Sequence, residues 1–330
     1  MTTAVEILRA WSGLFGSPVI TELTPGRVWE VTAERGDRYV LKRVSTFNTT
    51  DPVRRFAGEA RILAYLAQRG IPVAVPVLSG EGRVCATDDA GAPYAVFPML
   101  PNDGAAGMHA LHSVRLENLG AAVARMHAAL AGCPFGVESW EVDSALLTAL
   151  GEMVGNRLPA AAAAELSARL RPRWDSMVRA VSMTPQRIHG DVHGGNILTD
   201  GQRVTGIIDC DHLPMAPRAY DLGYYLAFAV QWRLTHRRPQ PIDEEMPFIT
   251  RHLLTGYHRV SPLTPQENEG VPALALTAAL GLVDYFLRDH DLVEDSWLRT
   301  AHWIGDNFDL LKASATVLDE TADGSALTFR

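Results

Sequence analysis

Arg187-Ile188-His189-Gly190-Asp191-Val192-His193-Gly194-Gly195-Asn196-Ile197-Leu198 is the stretch on which the fold of this chain turns. Apolar residues lead into a tight polar loop with three glycines, and apolar residues lead out. Such a loop presents Asp191 and Asn196 while flanking strands hold its backbone. Thirteen residues after Asn196, Ile207-Ile208-Asp209-Cys210-Asp211 closes a β-branched strand with an aspartate. A carboxylate there leaves the core where it can meet a hard cation. The spacing of His189 and His193 around Asp191 also admits a zinc hydrolase. That motif needs both histidines on one helix, and Gly190, Gly194 and Gly195 oppose a helix, with no third ligand in view.

Upstream, residues 20–23, 27–32 and 39–41 read as three antiparallel strands, parted by Thr24-Pro25-Gly26 and by Glu34-Arg35-Gly36-Asp37. The third strand runs into Lys42. A helix over 51–69 follows, with Asp51 at its N-cap, Pro52 at its first position and Gly70 after its end. Glu59 falls within the apolar stripe of Phe56, Leu63 and Leu66, where an unpaired charge is costly. It therefore needs a partner: Lys42 from the strand is the expected one, and Arg55 four residues back is the alternative. Residues 73–78 and 83–86 read as further strands. Residues 94–100 read as a buried strand entering a connector. Backbone N–H groups around Gly26 can cover a phosphate or close an ordinary hairpin.

Beyond Pro98 the pattern becomes helical, over 111–130, 145–153, 160–181 with a break at Pro172, and most of 220–311. Strands return only within 187–209. The expected architecture is α+β, with a strand-rich lobe at 1–97 and a mainly helical lobe at 98–330. The tail past Leu318 is polar and expected to fray.

The chain has 330 residues, 47% hydrophobic and 21% charged, enough to bury a large core without staples. Cys85, Cys133 and Cys210 are too scattered for a disulfide framework and suit a reducing cytoplasm. Residues 1–15 read as a short amphipathic helix, not a signal peptide. The longest apolar run, 271–283, is shorter than a membrane span, so no membrane anchor is expected. The net charge of −8 lies in the helical part, with 19 basic and 28 acidic residues after position 97 against 11 and 10 before it. That balance disfavours nucleic acid. No fixed-period repeat is visible, which excludes solenoids and propellers.

His189-Gly190-Asp191, Asn196 five residues after the Asp, Ile208-Asp209 and Ala219-Tyr220-Asp221-Leu222 match in order and spacing the motifs of a known group. The chain resembles the aminoglycoside phosphotransferase and type II homoserine kinase superfamily. The resemblance implies a bilobal protein-kinase-like fold and transfer of the γ-phosphate of ATP or GTP to a hydroxyl of a small molecule. It implies that Asp191 receives or orients the hydroxyl and that Asn196 and Asp209 hold Mg²⁺. Lys42, braced by Glu59, would meet the α- and β-phosphates. Gly26 would lie over the phosphates, and Phe97 and Met99 would face the adenine. His189, Asp211 and Asp221 would support this set. Asp284, Asp289, Asp291, Glu294 and Asp295 would greet a cationic acceptor or simply solvate a helix end. An antibiotic or other natural product is the favoured acceptor, and homoserine, choline or a sugar the alternative. A nucleotide-binding pseudokinase is the reading from another class. The protein is expected to act as a monomer or homodimer.

Overall fold

The computed structural model describes residues 3–44, 49–104, 112–236, 240–289 and 295–316. The N-terminal amphipathic segment divides into α1 (Ala4–Leu8), a 3₁₀ turn and α2 (Ser12–Phe15). Thr3 and Glu6 close a capping box on α1. Trp11 and Phe15 turn under the sheet, where both are buried, and the Trp11 indole N–H donates to the Val77 carbonyl at 2.9 Å.

The sheet holds β1 (Val19–Thr24), β2 (Val28–Thr32), β3 (Arg38–Arg43), β4 (Ala86–Thr87) and β5 (Pro93–Pro98), in the order β1-β2-β3-β5-β4 and antiparallel throughout. Register pairs Lys42 with Val28 on one side and Ala95 on the other. The strand expected at 73–78 is absent: that segment makes a single bridge, Val77 to Val96. Pro72 and Pro76 lack the N–H groups a ladder needs. The strand expected at 83–86 shifts to Ala86–Thr87.

Between β3 and β4 runs α3 (Pro52–Ala67), capped as its sequence predicts, with the Asp51 carboxylate accepting the Arg54 N–H at 3.0 Å. Such a cap is worth about 1 kcal/mol. Two cores meet at this helix: Phe56 packs with Val44, Cys85 and Ala95, whereas Ile62, Leu63 and Leu66 join the large core of the helical body. Val31, Leu41 and Val96 pack separately with the N-terminal helices.

That body contains α4 (Ser113–Ala131), α5 (Ser144–Arg157), α6 (Ala160–Leu170), α7 (Trp174–Val181), β6 (Pro185–Arg187), β7 (Ile197–Asp200), β8 (Arg203–Ile207) and β9 (Met215–Pro217). It closes with α8 (Tyr220–Thr235), α9 (Ile242–Val260), α10 (Pro265–Asp289), α11 (Asp295–Asp306) and α12 (Phe308–Thr316). The break at Pro172 becomes a 3₁₀ turn between α6 and α7. α4 and α9 cross at glycines: a Cβ on Gly120 would stand 2.0 Å from the Leu253 carbonyl oxygen, and one on Gly256 1.9 Å from that of Glu117. The apolar run at 271–283 lies in the longer α10. Its 265–288 span is the one stretch among the described residues long and apolar enough to cross a membrane, yet 72% of its apolar window is buried inside the fold.

Candidate active site

Two hairpin-like pairs, β6 with β9 and β7 with β8, frame the polar loop recognised in the sequence. Gly190 adopts φ +86°, and a Cβ on it would stand 2.4 Å from the Pro214 ring. Both facts demand glycine between His189 and Asp191. Gly190→Ala is expected to lower the thermal midpoint by several degrees, since strain and overlap together cost about 1–3 kcal/mol. Scanning calorimetry of the two proteins checks it.

His189 is buried, and both of its ring nitrogens are used within the loop. Its Nδ1 accepts the Asp191 N–H at 3.1 Å, which leaves Nε2–H to donate to the Ile208 carbonyl at 2.9 Å. The zinc alternative loses a ligand by this arrangement. Among the described residues no group of three or more His, Cys, Asp or Glu side chains is placed to hold a metal ion by itself.

Asp191 is held from three directions. Asn196 Nδ2 donates to Asp191 Oδ2 at 2.8 Å and to its carbonyl at 3.0 Å. His193 Nε2 stands 3.6 Å from Oδ2, and the Tyr224 hydroxyl on α8 also bonds the carboxylate. Because His193 Nδ1 accepts the Gly195 N–H at 3.0 Å, Nε2 carries the proton and faces Asp191. Burial raises the Asp191 pKa, but the His193 bond and charge, His212 and Tyr224 outweigh it and hold the carboxyl at about 2. Phe228 stacks on the His193 ring at 4.5 Å, and Trp297 meets Phe228 edge-on at 4.7 Å, forming an aromatic wall behind the loop.

Lys42 crosses from the sheet to the other end of the loop pair. Its Nζ lies 2.7 Å from Asp209 Oδ1 and 3.4 Å from Asp211 Oδ2. The expected ion pair of Lys42 with Glu59 is therefore replaced, and Glu59 takes the alternative, Arg55 at 3.7 Å. The reason is competition. Two carboxylates from the 209–211 turn reach Lys42, and the buried Arg55 is fixed beside Glu59 by bonds to the Glu138, Asp211 and His212 carbonyls. Burial lowers the Lys42 pKa, but Asp211 and Asp209 more than offset this, so the net shift is upward. Asp209 itself sits at φ +61°, a left-handed conformation uncommon for any residue but glycine.

Burial, reinforced by Asp211, pushes the Glu59 carboxyl up to about 8 against the pull of Lys42 and Arg55. The folded chain thus keeps a proton that the unfolded chain releases near 4.5. The sign follows: this stability is full below about pH 4.5 and is lost as pH rises through about 8. Glu59→Gln is expected to flatten that decline in nucleotide-free protein, read as denaturant midpoints between pH 5 and pH 8.

A cleft of about 1140 Å³ opens between the sheet and the helical body. Val28, Val40 and Lys42 roof it, Phe97 and Met99 line its back, and Leu198, Ile207 and Asp209 form its floor. Gly26 does not line it. The hairpin folds the Gly26 N–H onto the Glu22 carboxylate at 2.7 Å, so that donor is already spent. The Met99 N–H is likewise used, by the Arg38 carbonyl at 3.0 Å, although its side chain borders the cleft. Asp209 and the Asn196 amide oxygen are hard oxygen donors, and turning Asn196 Nδ2 to Asp191 leaves that oxygen on the amide's other face. One carboxylate and one amide suit a cation that completes its shell with waters and phosphates.

Asp221, at the start of α8, is fully buried and accepts the His189 and Gly190 N–H groups at 2.9 and 2.8 Å. Asp284 is engaged by Arg157 at 3.1 Å and Arg288 at 2.6 Å instead of facing an open site. Asp291 and Glu294, and the side chains of Asp289 and Asp295, lie outside the described residues. Sequence reasoning offered Arg55 only as the alternative partner of Glu59, and it missed Tyr224, His212 and His127. Only Arg55 carried a signal, its place one turn before Glu59.

Residues 23–263 match the model of the phosphotransferase enzyme family. A homoserine kinase of Rhodopseudomonas palustris is 30% identical over 227 residues, 66% of this chain and 64% of that protein. The chain thus spans just under two thirds of that relative's length. Among solved structures, an aminoglycoside phosphotransferase from Alicyclobacillus acidocaldarius superposes with a TM-score of 0.65 at 15% identity, covering 98% of both chains. An amicoumacin kinase in complex with AMP-PNP and Ca²⁺ superposes with a TM-score of 0.63 at 18% identity, covering 89% of this chain and 88% of the other. These likenesses establish a protein-kinase-like fold. With nearly three quarters of its length inside the family match, the chain belongs to the phosphotransferase enzyme family.

Proposed function

We propose that this protein is a Mg²⁺-dependent small-molecule kinase that transfers the γ-phosphate of ATP or GTP to a hydroxyl of its acceptor. The observation that carries the reading is the meeting of Asp191, Asn196, Asp209 and Lys42 from three distant segments along one cleft-side loop system. Residues 1–97 form the nucleotide lobe in this reading, and 98–330 the catalytic and acceptor lobe.

Asp191 stays ionised at working pH and takes the hydroxyl proton or holds the hydroxyl in line. The hydroxyl oxygen then bonds to the γ-phosphorus, the bond to the β-phosphate oxygen breaks, and nucleoside diphosphate leaves. Asn196 and Asp209 would hold the cation, and a cation bound there would neutralise phosphate charge. Lys42 turns from Asp209 toward the α- and β-phosphates, with Glu59 behind it. Phe97 and Met99 flank the base, whereas the spent N–H of Gly26 argues for a lesser part in covering phosphates. The free cysteines fit a cytoplasmic setting.

For the acceptor we favour an antibiotic or other natural product, in keeping with the amicoumacin and aminoglycoside kinases that share the fold. Homoserine is the second reading, favoured by the named sequence relative. The test is Mg-ATP and Mg-GTP turnover, read as nucleoside diphosphate release, across aminoglycosides, nucleoside and peptide antibiotics, homoserine, choline and simple sugars. Acceptor-dependent release that vanishes with EDTA is the expected result. Failure to bind either nucleotide would overturn the reading, and nucleotide binding with no turnover on any acceptor would favour a pseudokinase.

A further inference from the structure

The turn that carries Asp209 keeps an uncommon backbone, and side chains far from it in sequence hold it there. Asp209 at φ +61° and Leu213 at φ +43° are the two non-glycine residues with left-handed backbone among the described residues. Such conformations persist where their surroundings over-determine them. Here the carbonyls of three successive residues meet arginines. Arg55 Nη2 donates to the Asp211 carbonyl and lies 3.4 Å from that of His212. Arg187 Nη1, from β6, donates to the Leu213 carbonyl at 2.8 Å.

Arg55 is the unexpected member, because it comes from α3 and is 8% exposed. Its three guanidinium nitrogens face three different segments. Nε–H donates to the Glu138 carbonyl at 3.2 Å, Nη2 serves the turn, and Nη1 stands 3.7 Å from Glu59 Oε2. Gly58 makes this reach possible: a Cβ there would stand 2.8 Å from Val137 Cγ1, so α3 lies close against the 136–138 segment. A buried guanidinium is costly unless its donors are used. Glu59 keeps its proton up to about pH 8, so at neutral pH carbonyl dipoles, more than an opposite charge, hold Arg55 in place. A planar fork meets several acceptors at once, which a compact ammonium on a flexible stem does not.

We infer that Arg55 is a positioning residue for the cation site: it ties the 209–213 turn to α3, so that the helix carrying Glu59 and the turn carrying Asp209 keep a fixed relation. The inference rests on the phosphotransferase reading and deepens it. Arg187 fixes the far end of the turn to the helical body, and Arg55 fixes its middle to the nucleotide lobe. Without Arg55 the Asp211 and His212 carbonyls lose their donor, and the turn is free to relax away from the left-handed backbone that presents Asp209 to the cleft.

Two replacements separate the fork from its charge. Arg55→Lys keeps a cation beside Glu59 but not the fork, and Arg55→Met removes both while filling similar space. Amide hydrogen exchange is read on nucleotide-free protein, and titration calorimetry is run with Mg-ATP and with ATP in EDTA. In both variants exchange over 209–213 is expected to rise about tenfold or more, while the β1–β3 sheet keeps parental protection. Mg-ATP binding should weaken about tenfold, with metal-free ATP binding within about twofold of the parent's. If Arg55→Met does not fold, Arg55→Lys decides alone. A lysine variant that binds Mg-ATP as the parent does overturns the inference, because charge and not the fork is then what matters. Unchanged protection of 209–213 overturns it too, as does an equal loss of Mg-ATP and metal-free ATP binding, or an exchange increase spread over the sheet. A parent that binds ATP in neither form sinks the kinase reading, and the exchange comparison still decides the part assigned to Arg55.

Discussion

Asp191→Ala is expected to reduce acceptor-dependent release of nucleoside diphosphate by about 10²–10⁴-fold, the range associated with loss of a general base. Nucleotide affinity should stay close to the parent's. The two halves of this expectation come from different places in the structure. Asp191 does not line the 1140 Å³ cleft, whereas Lys42 and Asp209 do, so the cleft keeps its contacts when the carboxylate is removed. Yet everything around Asp191 serves to aim it: Asn196 Nδ2 at 2.8 Å, the protonated nitrogen of His193 at 3.6 Å, and the Tyr224 hydroxyl. A carboxyl held at about 2 is ionised at any pH an enzyme meets. Its stabilising contribution is present above about 3.8 and is lost as pH falls toward about 2, so it supplies no acid limb to the rate between pH 5 and pH 8. Single-turnover measurements separate the steps. Parental rates from the Asp191 variant would remove it from the chemistry.

How far a sequence can be read depends on whether the decisive physics is local. The caps of α3 were legible because Asp51, Pro52 and Gly70 each act on their own backbone. The same holds for the polar loop, where glycines and the spacing from Asp191 to Asn196 set the turn. Partner choice was not legible. Periodicity places Glu59 on the buried face of α3, but it cannot say that the 209–211 turn would bring two carboxylates to Lys42 across 167 positions of sequence. The partner of the Gly26 N–H was not legible for a related reason: it is Glu22, a side chain four residues away whose direction depends on the irregular register of β1 against β2. The strand expected at 73–78 shows the limit of β-propensity, since Pro76 within the run and Pro72 just before it remove ladder donors from an otherwise apolar segment. His127 and Tyr257 lay in ordinary helical patterns, where an apolar stripe hides a polar contact between helices that only packing creates.

Asp209→Asn is expected to weaken Mg-nucleotide binding by about 10–100-fold and to leave metal-free nucleotide binding far less affected. Asparagine is the informative replacement because Asp209 sits at φ +61°. Asparagine tolerates that conformation better than alanine, so the backbone stays while the charge goes. Asp209→Ala adds backbone strain, and a lower thermal midpoint in that variant alone would identify the strain. The Asn change also acts on Lys42, which in the nucleotide-free protein pairs with Asp209 Oδ1 at 2.7 Å and Asp211 Oδ2 at 3.4 Å. With Asp209 neutral, Lys42 keeps Asp211 and remains charged, so the lysine's share of phosphate binding survives and the cation's share is lost. Titration calorimetry with Mg-ATP and with ATP in EDTA reads the two shares separately. An Asp209→Asn protein that binds Mg-ATP as the parent does would place the cation elsewhere, and the carboxylate at 209 would then be only the resting partner of Lys42.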